Sequence, residues 1–169
     1  GIPNLQEWKN CAEPVGCTHP RGFAQFTRYL AEGAASALFD TRLAILNPGA
    51  TPANVLLRFL SLDQEIIRTH YVSVPPRTRR TVDVGADVAG MADAQFSTVL
   101  ESDREVILDR TMTWDRSGYS SHAETALRAP AETWYLAEGA THSGFALFYL
   151  LQNPASSKTE VRIRYLRPG

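Results

Sequence analysis

The 169-residue chain is poor in the features that mark several common classes of protein. It has two cysteines and four histidines, and no apolar run approaches the roughly 18 residues that a membrane-spanning helix needs. With 17 basic and 18 acidic residues it lacks the excess of Lys and Arg that nucleic acid or an anionic membrane attracts. Hydrophobic residues make up 44%, which is enough for a packed core. The composition therefore predicts a folded domain with no nucleic-acid partner and no membrane insertion.

The two cysteines lie close together in the sequence. Cys11 and Cys17 enclose five residues, among them Pro14 and Gly16, and this spacing can form a loop that joins the two sulfurs. A disulfide is the expected state in an oxidising compartment. Free thiols, a redox pair or half of a metal site are the alternatives, although the spacing is not C-x-x-C and no second Cys/His pair has zinc-like spacing.

No arrangement of residues indicates catalysis or metal binding. The four histidines are scattered, at His19, His70, His122 and His142, without H-E-x-x-H or paired spacing. Ser120-Ser121-His122 lacks the G-x-S-x-G elbow, and adjacency in sequence does not make a catalytic triad. We therefore expect no catalytic residue, no metal site and no cofactor, and we interpret the chain as not an enzyme.

One sequence block occurs twice. Residues 27–34 read Thr-Arg-Tyr-Leu-Ala-Glu-Gly-Ala, and residues 133–140 read Thr-Trp-Tyr-Leu-Ala-Glu-Gly-Ala, 106 positions later. Across residues 27–60 the copies are identical at 13 of 34 positions without a gap, where chance gives roughly two or three. A period of 106 is too long for a helical solenoid and matches a β-sandwich domain of about 100 residues.

The repeat predicts three parts. Residues 1–26 are a leader, or the tail of a preceding unit that contains the Cys11–Cys17 loop. Residues 27–132 are one complete β-sandwich repeat. Residues 133–169 are an incomplete second repeat, which we expect to pack on its own or a neighbouring sandwich because a few strands with apolar faces are not stable alone.

Apolar residues with a period of two predict strands. They alternate at 55–59, 106–114 and 161–165, and further strands are expected at 66–74, 79–84 and 96–100, with one helical or irregular stretch at 86–94. Turn residues such as Asn47-Pro48-Gly49 and Pro75-Pro76 separate them. Strands about ten residues apart predict an all-β fold, an antiparallel immunoglobulin-like β-sandwich with a partial second repeat.

The second copy resembles a known family. Thr133 to Thr141, followed by Leu151-Gln-Asn-Pro154, is similar to the tandem repeats of very large secreted bacterial surface proteins, which carry Trp-Tyr-x-Ala-Glu-Gly-x-Thr, a Leu-x-Asn-Pro turn and a Glu-Ser-Asp strand end. Glu101-Ser102-Asp103 stands where that last element belongs, and Arg110 to Trp114 resembles the strand that follows. The resemblance covers residues 27–169 and implies an extracellular β-sandwich used in arrays. It supplies no catalytic residues, and the first copy departs from the signature at Arg28 and Ala35.

Several residues are candidates for contacts. Glu32 and Glu138 occupy equivalent positions, so we expect them a domain length apart, each paired with a nearby base or with backbone N–H groups rather than with each other. Trp134 replaces Arg28, and a position that accepts both predicts an exposed site or a module boundary. The candidate inter-module contact residues are Trp134, Tyr135, Arg28 and Tyr29.

Two further surfaces have alternative interpretations. Arg77-Thr-Arg79-Arg80 could contact a sulfated or acidic polymer, but a solvated edge strand is the favoured interpretation. Trp8, Trp114 and Trp134 could stack on sugars, although Trp114 lies on an apolar strand face and is expected in the core. We expect an extracellular or cell-surface structural module that builds a stalk, surface layer or filament with other copies of itself. The alternative is an adhesion module that binds polysaccharide or another surface.

Overall fold

A computed structural model describes residues 25–62, 66–114 and 120–166. In these ranges the regular elements lie between Phe26 and Thr125. The strands are β1 (Phe26–Leu30), β2 (Ala34–Ala35), β3 (Phe39–Asn47), β4 (Ala53–Leu60), β5 (Ile66–Val74), β6 (Thr78–Asp83), β7 (Ala94–Gln95), β8 (Ser97–Ser102), β9 (Ile107–Trp114) and β10 (Ser120–Thr125). A single helical turn, α1 (Val84–Asp87), follows β6.

Eight strands form two four-stranded antiparallel sheets. Their orders are β1-β8-β4-β5 and β10-β9-β3-β6, while β2 and β7 form a two-stranded ribbon. Because successive side chains of a strand point to opposite faces, each sheet turns an apolar face toward the other. The shared core contains Leu30, Val55, Leu57, Phe59 and Leu100 from one sheet and Leu43, Ile45, Val82 and Leu108 from the other. The prediction of an all-β antiparallel sandwich is thus confirmed.

The immunoglobulin-like part of the prediction is not confirmed. In an immunoglobulin domain the first two strands lie in one sheet. Here β1 pairs with β8, whereas β3 lies in the opposite sheet between β9 and β6.

The stretch predicted as helical or irregular, residues 86–94, contains the end of α1 followed by irregular backbone up to β7. Asp83 caps α1 by accepting a hydrogen bond from the Ala86 backbone N–H at 3.2 Å. The helix ends after one turn because Val88 returns to extended backbone with φ of −109°. The strands predicted at 66–74 and 79–84 correspond to β5 and β6.

The first four strands do not pair with one another. β1 pairs with β8, β2 with β7, β3 with β6 and β9, and β4 with β5 and β8. Apart from the isolated bridge between Tyr29 and Leu127, every ladder partner of residues 27–60 therefore comes from residues 66–114. A second copy of residues 27–60 cannot build a sheet from its own strands.

This topology explains why residues 133–166 form no regular strand. Among residues 133–166 the structure has no regular strand, so the strand predicted at 161–165 is wrong for the chain in this structure. Val161, Ile163 and Tyr165 are exposed instead of alternating between core and surface. A strand needs a partner for its backbone N–H and C=O groups, and these residues correspond to β1–β4 without the strands that pair with them. The proposed boundaries at 27–132 and 133–169 stay predictions.

Candidate functional site

The repeated block is held in the first copy by a set of contacts from the second half of the unit. We call residues 27–35 the signature segment. Its β1 portion pairs with β8 on one side. On the other side, Tyr29 and Leu127 exchange two backbone hydrogen bonds of 2.9 and 3.0 Å, which close this edge of the sheet. The side chain of the next residue, Leu30, is fully buried in the core.

Glu32 binds a buried arginine. Arg110 Nη1 donates to the Glu32 backbone carbonyl at 2.6 Å and to Glu32 Oε2 at 3.1 Å, and Arg110 Nη2 donates to Glu124 Oε2 at 2.9 Å. Arg110 is only 1% exposed, and a buried guanidinium is tolerated when carboxylates compensate its charge. The expectation that Glu32 pairs with a nearby base is confirmed.

His122 completes this cluster. Its Nδ1 lies 3.2 Å from Arg110 Nη2, and because a guanidinium can only donate, Nδ1 acts as the acceptor. The proton of the neutral ring is then on Nε2, which lies 3.5 Å from Glu32 Oε2. Among the described residues no hydrogen bond joins His122 to a serine hydroxyl, and His122 instead belongs to an ion-pair network with Arg110, Glu32 and Glu124.

Gly33, Ala34 and Ala35 contact β7 and Phe96, the residue that follows β7. A Cβ atom at Gly33 would lie 2.2 Å from the ring of Phe96, whose backbone N–H donates to the Gly33 carbonyl at 2.9 Å. Ala34 and Ala35 pair with β7, and Thr41 Oγ1 bonds to both the N–H and the C=O of Ala34, at 3.1 and 2.6 Å. The signature segment therefore has a specific partner at nearly every position.

The Glu-Ser-Asp element of the resemblance also has a structural role. Arg58 Nε donates to Glu101 Oε2 at 2.7 Å. Asp103 accepts from the backbone N–H and the side-chain amide of Asn54, at 2.7 and 2.8 Å. These contacts join β4 to β8 and to Asp103, the residue that follows β8. We call the contacting residues Phe96, Glu101, Asp103, Arg110 and Leu127 the socket.

The second copy keeps the signature, and among the described residues no equivalent socket surrounds it. Leu136, equivalent to Leu30, is 68% exposed, and Tyr135 is 91% exposed. Glu138 makes no ion pair with another described residue. Exposed large apolar side chains accumulate along the segment, at Trp134, Tyr135, Leu136, Phe145, Phe148, Leu150, Leu151, Val161, Ile163, Tyr165 and Leu166.

The turn after the third strand is the same in both copies. Asn47 Nδ2 donates to the Thr51 carbonyl at 2.8 Å, and Asn47 Oδ1 accepts from the Gly49 N–H at 2.9 Å. In the second copy Asn153 makes the equivalent bonds to residues 157 and 155, at 2.7 and 3.1 Å. Asn47 also donates to the carbonyl of Val74 at the end of β5. The second copy thus has the hydrogen bonds within the turn, but among the described residues it lacks an equivalent of the bond from Asn47 to the distant strand β5.

The predicted contact residues lie in two different environments. Arg28 is 5% exposed, so of the two alternatives for its position, an exposed site or a module boundary, the first does not hold in the first copy. Its guanidinium lies 3.6 Å from Glu105, and its pKa is lowered by burial and by neighbouring Arg128, against the effect of Glu105. Arg28 and Tyr29 nevertheless lie where the chain leaves the sandwich, and Trp134 and Tyr135 lie on the exposed segment. Their role between modules stays a prediction.

The remaining sequence candidates do not form a site. Arg79 and Arg80 are exposed on β6, which is an edge strand, as the favoured interpretation expected. His70 lies on β5, where burial lowers its pKa and Asp87 opposes that shift. In the described part of the chain no three His, Cys, Asp or Glu residues are placed to hold a metal ion. Cys11, Cys17, Trp8 and His19 lie outside the described residues.

The fold and the signature contacts define an all-β antiparallel sandwich, and in the described ranges no helix is long and apolar enough to cross a bilayer. No family model matches the chain, and no curated protein matches it. The crystal structure of Thermotoga maritima 1070 is similar in fold, with a TM-score of 0.56 and 15% identity over 63% of this chain and 96% of that one. The Anabaena sensory rhodopsin transducer has a TM-score of 0.44 and 22% identity over 52% and 87%.

Proposed function

We propose that this protein is a non-catalytic structural repeat module, outside the cell or on its surface, that builds a stalk, surface layer or filament through contacts between units. The observation that carries the proposal is the repeated signature, which is paired in residues 27–35 and unpaired and exposed in residues 133–141. The resemblance to secreted bacterial repeats supports the extracellular location.

The exposed segment supplies the driving force for contacts between units. Burying one Leu, Ile or Phe side chain from water stabilises by about 1.5–3 kcal/mol, and residues 133–166 expose many such side chains. Among the described strands of the sandwich, β5, β6 and β10 are edge strands that pair along one side only. Strand addition at such an edge satisfies the backbone groups of the incoming segment at the same time.

Deleting residues 133–169 tests this proposal. The full chain is expected to self-associate with rising concentration, because the exposed segment pairs with other molecules. The truncated chain is expected to be monomeric with an unchanged midpoint of thermal unfolding, because the segment adds no strand to the sandwich. Light scattering coupled to size exclusion measures the mass, and electron microscopy distinguishes filaments, sheets and single particles. A full chain that stays monomeric at every concentration contradicts the proposal.

The alternative is a carbohydrate-binding or surface-binding adhesion module. One observation in its favour is the pair of exposed neighbouring aromatic residues, Trp134 and Tyr135. A separate one is a cleft of about 310 Å³ beside β2 and β7, lined in part by Phe39, Asp93 and Gln95. Aromatic rings and a carboxylate are suited to sugar binding. A glycan array probed with the full chain tests it, and binding lost in Trp134→Ala would favour adhesion over assembly.

A further inference from the structure

We infer that residues 133–166 can take the place of residues 27–60 in the same sandwich, so that strands β5–β10 have two alternative partners within one chain. The inference does not rest on the proposed extracellular role. It starts from the topology, because the strands of residues 27–60 pair only with strands of residues 66–114, apart from the isolated bridge between Tyr29 and Leu127, and form no ladder among themselves. The two segments therefore compete as whole units for one set of strands.

The second segment retains the residues that the socket recognises. Leu136 matches buried Leu30, Glu138 matches the Arg110-bound Glu32, and Gly139 matches the glycine packed on Phe96. Arg164 matches Arg58, which pairs with Glu101. Inward positions of β3 and β4 stay apolar at Tyr149, Leu151, Val161, Ile163 and Tyr165, while Leu147 replaces Thr41, whose hydroxyl bonds to the Ala34 backbone.

The connection between the sandwich and the second segment has the length that replacement requires. Leu127 pairs antiparallel with Tyr29, and Arg128 lies beside Arg28, since both contact Glu105 at 3.3 and 3.6 Å. The chain after Leu127 therefore runs back along β1 toward its start. If Tyr135 replaced Tyr29 opposite Leu127, residues 130–132 would form a three-residue hairpin loop, one of the common lengths for joining antiparallel strands.

Differences between the segments explain why residues 27–60 occupy the site in this structure. Tyr149 stands in place of Leu43, which is fully buried in the core, and a larger ring there requires repacking. Glu160 stands in place of Asn54, whose amide and N–H both donate to Asp103. In the replaced arrangement two carboxylates would face each other there. We therefore expect residues 133–166 to pair with β5–β10 less stably than residues 27–60 do, and to pair with them when residues 27–60 are disabled.

A matched pair of glycine substitutions tests the inference. Gly33→Val disables the first segment, since its side chain would overlap the ring of Phe96. We expect this variant to remain a folded monomer in which hydrogen exchange of residues 133–166 slows by about a hundred-fold or more while residues 27–60 exchange like an unstructured peptide. Gly139→Val is the control, and its exchange pattern should match that of the unmodified chain.

A second variant keeps the test decisive if Gly33→Val unfolds. Adding Asp103→Lys gives Glu160 an opposite charge in the replaced arrangement and removes the acceptor of Asn54 in the present one. The double variant Gly33→Val/Asp103→Lys should fold with residues 133–166 protected. The inference is overturned if both variants unfold, or if the folded species is an oligomer in which residues 133–166 insert into another molecule. Self-association of the unmodified chain neither supports nor contradicts this inference. A failure of the proposed assembly role can therefore be distinguished from a failure of this inference.

Discussion

Leu30→Ala is expected to lower the free energy of unfolding by about 2–5 kcal/mol, whereas Leu136→Ala changes it by less than about 0.5 kcal/mol. The two leucines have the same neighbours in sequence and occupy equivalent repeat positions. Leu30 is 0% exposed within the sandwich core, and its truncation leaves a cavity. Leu136 is 68% exposed, so its truncation removes few contacts. Urea unfolding of the two variants in dilute solution measures both effects.

The comparison of Leu30→Ala with Leu136→Ala separates the effect of the surroundings on stability from the effect of the residue type. Composition, propensity and local sequence are nearly the same at both sites, so a difference in stability reports the burial of Leu30 in the sandwich core. Equal losses in the two variants would mean that both copies are buried to the same degree, and would contradict the description of residues 133–166 as unpaired.

Arg110→Met is expected to lower the free energy of unfolding by about 3–5 kcal/mol. The substitution keeps much of the side-chain volume but removes the charge that compensates Glu32 and Glu124. It also removes the donor to the Glu32 backbone carbonyl, which then lacks that partner in a partly buried position. The signature segment should detach from β9, and circular dichroism during thermal unfolding should show a lower midpoint.

The matched control is Arg42→Met in the same sheet. Arg42 Nε lies 3.4 Å from Asp83 Oδ2, and the Arg42 side chain is 62% exposed. An exposed ion pair of this kind contributes about 0–1 kcal/mol because water and salt screen it. If both arginine variants lose the same small amount, the Arg110 cluster does not hold the signature segment in place.

The sandwich could be predicted from the sequence because the pattern responsible is local. Alternation at Leu108 and Met112 requires only that neighbouring residues point to opposite faces, and both are buried on β9. The turn at Asn47 was readable for the same reason, since its side chain bonds to residues two and four positions ahead. The strand order was not readable, because pairing of β1 with β8 joins residues about seventy positions apart.

The socket was missed although the sequence contains a signal for it. Arg110 occupies an inward position between Leu108 and Met112, where an apolar residue is expected. A charged residue at such a position needs a buried counter-charge, and the repeated Glu32 was the acid available. What the sequence could not supply was the distance between them, because the pair spans 78 residues.

The second copy shows where pattern-based prediction fails. Residues 161–165 have a clearer alternation than β4, yet they form no strand in the described structure. Alternation reports that a segment is suited to a sheet, but a strand forms only when a partner provides the other half of its hydrogen bonds. The partner strands correspond to β5–β10, and those already hold residues 27–60.

Hydrogen exchange of the unmodified chain in dilute solution tests the central claim most directly, which is that one sandwich-building sequence occurs twice and only the first copy is paired. Amides in β3 and β4 should exchange slowly, near the limit set by global unfolding, because both neighbouring strands hold them, and so should the β1 amides that are bonded to β8. Amides in the equivalent positions of residues 133–166 should exchange within the range of an unstructured peptide. Equal protection of the two copies in a monomer would contradict the account.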